Sequence, residues 1–253
     1  MQNPTSRFSD RVENYIKYRP GYPTRVLDVL EAECDFTADS LIADIGSGTG
    51  ISTRLFLENH NTVYGVEPNT EMRTAAENFL KDYPQFHSVA ATAEETHLPG
   101  NLFDFIIAGQ AFHWFDPDQA KREFQRILKP EGWVVLIWNE RKVDSTPFLI
   151  DYEKMLLEFA TDYQEVNHTN LSQADFDRFF APHPVLSHTF PNSQTFDFFA
   201  LIGRLLSSSY CPNSGQPGYE QILSRLQEIF EEHQTDGTVS FDYDTNLFYG
   251  QIK

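Results

Sequence analysis

Three glycines at alternating positions are the first feature of this sequence that could do chemistry. Gly46, Gly48 and Gly50 follow the apolar segment Leu41–Ile45 and precede a helical segment that begins at Ile51. Glycine adopts the backbone angles of a tight turn at little cost, and it lets a ligand lie against the backbone. A helix that starts at such a turn presents free N–H groups to a ligand. The sequence therefore predicts a nucleotide-binding loop between a strand and a helix.

An acidic residue follows this loop at the distance expected for a ribose-binding carboxylate. Glu67 closes the next apolar segment and stands 21 positions after Gly46, close to the ~20 residues typical of such an acid. The glycines have GxGxG spacing and are preceded by Asp44, whereas dehydrogenases use GxGxxG. The spacing favours S-adenosylmethionine (SAM) as the ligand, and an NAD(P)-dependent oxidoreductase is the alternative. For Glu67 itself the alternative is a solvated carboxylate at a strand end.

His113 is the candidate general base. It lies just beyond the apolar run 103–108, where open α/β sheets place their reacting groups, and imidazole titrates near neutral pH. The flanking Phe112, Trp114 and Phe115 make a structural or pocket-lining histidine equally compatible with the sequence. Methyl transfer depends mainly on holding the acceptor in line and away from water, so no particular catalytic residue is obligatory.

Short apolar runs alternate with amphipathic segments and indicate the elements that position these residues. The runs cover residues 41–45, 62–66, 86–90, 103–108 and 133–138. Such alternation is typical of βαβ units on a parallel sheet. Between the runs, apolar side chains recur at helical spacing from Met72 to Tyr83, and Asp116-Pro117 has the composition of a helix start.

Helical segments precede and follow this alternating region. Residues 6–18 and 24–34 are predicted as helices, and beyond residue 141 helical stripes are interrupted by strand-like segments at 185–190 and 239–249. The predicted organisation is one structural domain with an N-terminal helical lid (1–35), a Rossmann-like cofactor-binding core (36–141), and a helical cap with the last two strands (142–253).

Composition excludes several classes of partner. The formal net charge is −18, and no run of Lys or Arg could neutralise a line of phosphates, so nucleic acid is not an expected partner. Cys34 and Cys211 lack the spacing of a zinc site or a disulfide framework. Asp116 is explained as a helix cap, so no metal is expected. No apolar stretch approaches the ~18 residues of a membrane span and the first residues lack a signal sequence, so a cytoplasmic protein is expected.

Taken together, the motifs resemble those of class I SAM-dependent methyltransferases, in the broad small-molecule group that includes trans-aconitate methyltransferase-like enzymes. They cover about residues 10–141, and they lie at 44–50, 66–72, 93–94, 110–115 and 128–132. The resemblance implies an α/β fold with a Rossmann-like, doubly wound, seven-stranded and mostly parallel sheet. It also implies an antiparallel strand near the end, and a helical C-terminal cap formed by helices within 146–182 and 194–234.

The resemblance also implies roles for individual residues. The three glycines would border the methionine part of SAM, Glu67 the ribose, Ala93 and Glu94 the adenine, and Gln110 to Phe112 the floor beneath the sulfonium. Arg19 would pair with the SAM carboxylate. Its alternative is a helix-end cap, and that of Glu94 is an exposed helix start. The implied cofactor set is Tyr18, Arg19, Asp44, Gly46, Ser47, Gly48, Gly50, Glu67, Pro68, Met72, Ala93, Glu94, Gln110, Ala111 and Phe112.

Around the acceptor, the family pattern places Trp114, Trp138, Asn139, Arg141, Ser209 and Tyr210. Aromatic side chains would shape this cavity and an arginine could hold a carboxylate there. The sequence has no Asn-Pro-Pro-Tyr or Pro-Cys segment, which argues against base-modifying and glutamine-modifying enzymes. The predicted function is methyl transfer from SAM to an oxygen atom of a small molecule, giving S-adenosylhomocysteine (SAH). A carboxylate oxygen is among the predicted acceptor atoms. A non-catalytic SAM-binding module is the second alternative, and a monomer or homodimer is expected.

Overall fold

The computed structural model describes residues 12–160, 163 and 171–253, so the predicted helix over 6–18 lies partly outside the described residues. The strands are β1 (Leu41–Ile45), β2 (Thr62–Val66), β3 (Phe86–Val89), β4 (Phe103–Gly109), β5 (Leu128–Arg141), β6 (Leu186–Phe196) and β7 (Val239–Gly250). The helices are α1 (Val12–Tyr18), α2 (Arg25–Glu33), α3 (Ile51–Glu58), α4 (Thr70–Phe79), α5 (Pro117–Ile127), α6 (Pro147–Phe159), α7 (Gln173–Phe180), α8 (Phe198–Leu206) and α9 (Tyr219–His233). No helix among the described residues combines the length and the apolar composition needed to span a bilayer.

A seven-stranded sheet with the order β3-β2-β1-β4-β5-β7-β6 forms the centre of the fold. The first five strands are parallel, whereas β7 is antiparallel to both of its neighbours, β5 and β6. This confirms the expected mostly parallel sheet. The strand order reverses at β1, because β2 lies on one side of it and β4 on the other. The connections leaving β1 and β4 therefore diverge and open a crevice at the carboxyl edge of the sheet.

Side-chain caps start the helices that return from this edge. The Asn69 side chain accepts a hydrogen bond from the Met72 N–H at 2.8 Å at the start of α4. Asp116 accepts hydrogen bonds from the N–H groups of Asp118 and Gln119 at the start of α5, with Pro117 in the first turn. Each cap satisfies amides that the helix itself leaves unpaired. The predicted start of α5 is confirmed.

The C-terminal region contains the helical cap, with one boundary different from the prediction. Residues 194–196, predicted as helical, belong to β6, which pairs with β7 from Leu186↔Tyr249 to Phe196↔Val239. This long pairing satisfies backbone groups that a helix would have had to satisfy internally. A separate apolar core fills the space between α6, α8, α9 and these strand ends, with Phe196 and Phe241 among its buried residues.

Candidate active site

One cavity of about 980 Å³ opens at the carboxyl edge of the parallel strands. Its walls come from the loops after β1, β2 and β4, from the far end of β5, and from α1 and α8. Small-molecule sites typically enclose about 300–1,000 Å³. The cavity therefore has room for a cofactor together with a small second ligand.

The glycine loop forms one wall of this cavity. The φ angles of Gly46, Gly48 and Gly50 are +69°, +56° and +86°, which confirms the expected left-handed turn. A Cβ on Gly46 would lie 2.6 Å from the Cβ of Ala111, and one on Gly50 would lie 2.7 Å from Leu80 Cδ1. Two of these glycines are thus required by backbone conformation and by close packing within the protein, as well as by any need to leave room for a ligand.

Asp44 lies behind the loop and is fully buried. Its Oδ2 accepts hydrogen bonds from the hydroxyls of Ser52 at 2.7 Å and Thr53 at 2.6 Å, which ties the end of β1 to the first turn of α3. Its Oδ1 is buried without a hydrogen-bond partner among the described residues. Burial raises the pKa of Asp44 to about 6, against the lowering effect of the two hydroxyl groups.

Glu67 is buried at the end of β2, and its carboxylate anchors two backbone segments. Oε2 accepts a hydrogen bond from the Gly48 N–H at 3.0 Å, and Oε1 accepts one from the Asn69 N–H at 2.8 Å. Burial raises the pKa of Glu67, although these two hydrogen bonds oppose the shift. A carboxylate oxygen can accept more than one hydrogen bond, so acceptor capacity is left for ligand hydroxyls.

Gln110 lies directly after β4 with φ +55°, an unusual conformation for a residue other than glycine. Its side-chain amide pairs with the Asn139 backbone: Oε1 accepts from N–H at 2.9 Å, and Nε2 donates to the carbonyl at 3.3 Å. The side chain thus continues the β4–β5 ladder by one step. This fixes the cavity floor at Gln110 and Ala111, next to Gly46 of the glycine loop.

The segment after β3 provides another wall through Ala93 and Glu94. A buried hydrogen-bond cluster holds this segment to α5, because Glu123 Oε1 accepts from the Thr96 N–H at 2.9 Å. Burial of Glu123 opposes its ionisation, but hydrogen bonds from Arg126 and Thr96 outweigh it and lower the pKa of Glu123 to about 2. The wall is therefore held by an ionised carboxylate that does not itself line the cavity.

Asn139 joins the sheet to the connection between α1 and α2. Its side-chain Nδ2 donates to the carbonyls of Pro20 at 3.4 Å and Gly21 at 3.1 Å. Its Oδ1 accepts from Thr245 Oγ1 at 2.5 Å and from Asn192 Nδ2 at 3.1 Å. This buried amide therefore fixes the N-terminal segment over the cavity.

Arg141 is the last residue of β5, and it lines the cavity there. It forms an ion pair with Glu153, and its Nη2 donates a hydrogen bond to the hydroxyl of Tyr163 at 3.1 Å. Tyr163 donates in turn to Glu153 at 2.8 Å, and the Arg141 guanidinium lies 5.1 Å from the ring centroid of Tyr152. The charge of this arginine is thus balanced within the protein.

Comparison with known proteins matches residues 43–136 to a family described as a methyltransferase domain. An uncharacterized methyltransferase from Mycobacterium bovis is 29% identical over 229 residues, which span 89% of this chain and 86% of that protein. An uncharacterized methyltransferase-like protein from Schizosaccharomyces pombe is 30% identical over 61% of this chain and 59% of its own length.

Solved structures share the fold. One described as a type II methyltransferase from Anaeromyxobacter dehalogenans has a TM-score of 0.72 at 21% identity, covering 93% of this chain and 98% of that one. A phosphoethanolamine N-methyltransferase from Haemonchus contortus, in complex with phosphomonomethylethanolamine and SAH, has a TM-score of 0.55 at 16% identity, covering 95% of this chain and 56% of that one. Residues 43–136 are thus identified as a methyltransferase domain, and the chain has the fold of the class I SAM-dependent methyltransferases.

Most residues that were assigned to the site from the sequence line this same cavity. From the predicted cofactor set these are Arg19, Gly46, Ser47, Gly48, Glu67, Pro68, Met72, Ala93, Glu94, Gln110 and Ala111. From the predicted acceptor set they are Trp114, Asn139, Arg141 and Tyr210. Their roles toward SAM and an acceptor stay predictions, but the fold brings them together.

Other predicted residues do not line the cavity, namely Tyr18, Asp44, Gly50, Phe112, His113, Trp138 and Ser209. Phe112 and Trp138 are core residues instead, because their rings pack against Phe176 at centroid distances of 6.5 Å and 5.7 Å. The His113 ring lies 4.8 Å from that of Trp114. Its role as a base stays a prediction that the cavity geometry does not support.

Sequence reasoning missed several residues of the methyltransferase cavity: Tyr22, Glu153, Tyr163, Arg204 and Tyr243. A signal was present for one of them. Arg204 is the single charged residue in the otherwise apolar helix Phe198–Leu206, and a buried charge in such a segment usually has a specific partner. The others come from distant segments with no shared motif.

Proposed function

We propose that this methyltransferase binds SAM against the glycine loop and transfers the methyl group to an oxygen of a small-molecule acceptor, leaving SAH. The observation that carries this proposal is the continuity of the cavity. The same space that touches Gly48 and Glu67 extends to Arg141, Tyr210 and the end of β5. A module that only bound SAM would need no space beyond that of the cofactor.

The residues present fit SAM. Both Glu67 oxygens already hold a backbone amide and keep capacity for two adjacent ribose hydroxyls. The Arg19 Nε is buried without a hydrogen-bond partner among the described residues, and it would gain one from the carboxylate of SAM. Ala93 and Glu94 would lie beside the adenine, on the wall that Glu123 holds in place.

SAM, when bound, supplies an electrophilic methyl carbon on a sulfonium. Transfer of this carbon to an acceptor lone pair would form a C–O bond and break the C–S bond, whose electron pair would return to sulfur. The protein must therefore hold the acceptor in line and exclude water. His113 does not line the cavity. An acceptor oxygen that is already ionised, as a carboxylate is, would need no base.

Calorimetric titration with SAM and with NAD, on the wild type and on Glu67→Ala, tests the cofactor half of the proposal. We expect SAM to bind, NAD not to bind, and the substitution to weaken SAM binding by about 2–4 kcal/mol through lost hydrogen bonds to a charged acceptor. Glu77→Ala is the control, because Glu77 is exposed and bonds to Ser88 outside the cavity. Preferential NAD binding, or unchanged SAM affinity in folded Glu67→Ala, would contradict the assignment.

Incubation with methyl-labelled SAM and a panel of carboxylic acids, phenols and amines tests the transfer half. Labelled ester or ether is the expected product. Tight SAM binding without transfer to any compound would favour a non-catalytic SAM-binding module, and transfer to amines alone would contradict O-methylation.

A further inference from the structure

Arg204 is a buried arginine on the cavity wall without an acidic partner. Arg204 lies on α8 and is only 5% exposed, and its side chain lines the cavity. Nε donates to the Tyr243 hydroxyl at 3.3 Å and Nη1 donates to Ser208 Oγ at 3.2 Å. No carboxylate among the described residues forms an ion pair with Arg204, and none of these carboxylates accepts a hydrogen bond from its Nη2. Buried charges are normally paired, because desolvation without a partner is costly.

A second arginine increases this deficit of negative charge. Arg19 Nη2 donates to Ser208 Oγ at 3.3 Å, so one buried hydroxyl serves two guanidinium groups. Burial and the nearby positive charge of Arg204 lower the pKa of Arg19. Two positive charges that share one hydrogen-bond acceptor repel each other and destabilise the protein, unless an anion lies between or beside them.

The other basic residues on the cavity wall are paired. Lys142 forms an ion pair with Asp244 at 3.0 Å, and Arg141 pairs with Glu153. The unbalanced positive charge is therefore confined to Arg19 and Arg204, in a chain that carries 37 acidic residues. Acidic side chains are abundant here, yet among the described residues none serves these two arginines.

We propose that Arg204 binds a carboxylate of the methyl acceptor, so that the acceptor is an organic acid. This rests on the proposed function, in which the carboxylate of SAM pairs with Arg19. SAM brings one carboxylate, which leaves the second guanidinium to an anion from the acceptor. The planar guanidinium fits a carboxylate through paired hydrogen bonds. Tyr243 and Ser208 orient it by occupying one N–H on each side.

Binding of small carboxylates to the SAH complex tests this role directly. The probes are succinate, glutarate and benzoate, each compared with its amide, titrated calorimetrically into SAH-saturated protein. We expect at least one acid to bind better than its amide, and Arg204→Gln to weaken that binding about tenfold or more while SAH affinity changes less than about twofold. Arg204→Lys, which keeps the positive charge but not the planar guanidinium with its paired donors, should retain part of the binding.

Arg225→Gln is the matched control, because Arg225 lies on α9 in a solvent-exposed pair with Glu228. It should leave both affinities unchanged. If no acid binds better than its amide, or if Arg204→Gln weakens SAH binding as much as acid binding, the assignment of Arg204 to the acceptor is wrong. Failure of SAH to bind at all would instead contradict the proposed function.

Thermal unfolding separates this binding role from a structural one. Arg204→Met removes the buried charge and keeps the length of the side chain. A binding residue without a partner should give a melting temperature equal to or above that of the wild type, together with loss of the stabilisation by the acid probe. A clear drop in melting temperature, with stabilisation by the acid retained, would show that Arg204 is structural and overturn the proposal.

Discussion

The two ends of the cavity are built in different ways. The glycine-loop end is formed by backbone groups and acids, and its main polar contacts join residues that are close in sequence, such as Asp44 to Ser52 and Glu67 to Asn69. At the opposite end, Arg19 and Arg204 meet at Ser208 although they lie 185 positions apart in the chain. The first end is preorganised by local structure, whereas the second depends on how the cap packs on the sheet.

This difference suggests that the two ends of the cavity serve different ligands. A loop fixed by local hydrogen bonds and close packing suits one cofactor, whereas side chains from separate helices and strands can change independently to suit different acceptors. Three substitutions test this difference between the two ends of the cavity.

Gly46→Ala should have the largest effect. It combines a φ of +69° with a Cβ that would lie 2.6 Å from Ala111, so we expect a loss of about 3–5 kcal/mol in the free energy of unfolding and loss of SAM binding. Gly215→Ala is the control, since Gly215 has a φ of +83° with nothing within 4 Å of the added Cβ. Urea denaturation of both variants measures the difference. Equal losses would mean that packing against Ala111 contributes nothing.

Asp44 should make the stability of the free protein depend on pH. Its pKa in the folded state, about 6, lies above its ordinary value of 3.8, so folding favours the protonated form. The corresponding stability is fully present below pH about 4 and is lost as the pH rises through about 6. Relative to Asp44→Asn, the wild type should lose about 2–3 kcal/mol across this window. Parallel stability curves for the two proteins would refute the shift.

Asn139→Ala tests the junction between the two ends and should have the smallest effect of the three. The substitution leaves the carbonyls of Pro20 and Gly21 without their buried donor, at a cost of about 1–3 kcal/mol in stability. SAM affinity should fall as well, because Arg19 would be less firmly placed. Asn192→Ala removes a more exposed bond to the same Gly21 carbonyl and one to Asn139 Oδ1. It leaves both bonds from Asn139 to Pro20 and Gly21 in place and should cost less. If SAM affinity stayed unchanged in Asn139→Ala, the N-terminal segment would not contribute to the cofactor site.

The comparison also explains which features could be predicted. The strands β1, β2 and β4 and the start of α5 were predictable, because burial on both faces produces short apolar runs and a cap needs a particular side chain. The end of β6 was misplaced by the prediction, since its exposed alternating residues only become a strand by pairing with β7. The family resemblance implied that Phe112 and Trp138 lie at the site, but the direction of each side chain depends on its packing against α7.

Local patterns of residues were enough to predict the glycine turn, the acid after the second strand and the alternating elements of the sheet. Each of these features depends on interactions between residues that are close in the chain. In contrast, the packing of distant elements pairs Arg141 with Glu153 and brings Arg19 and Arg204 to one hydroxyl. Pairing of charges across the chain depends on which helices and strands meet, and no local pattern of residues specifies that.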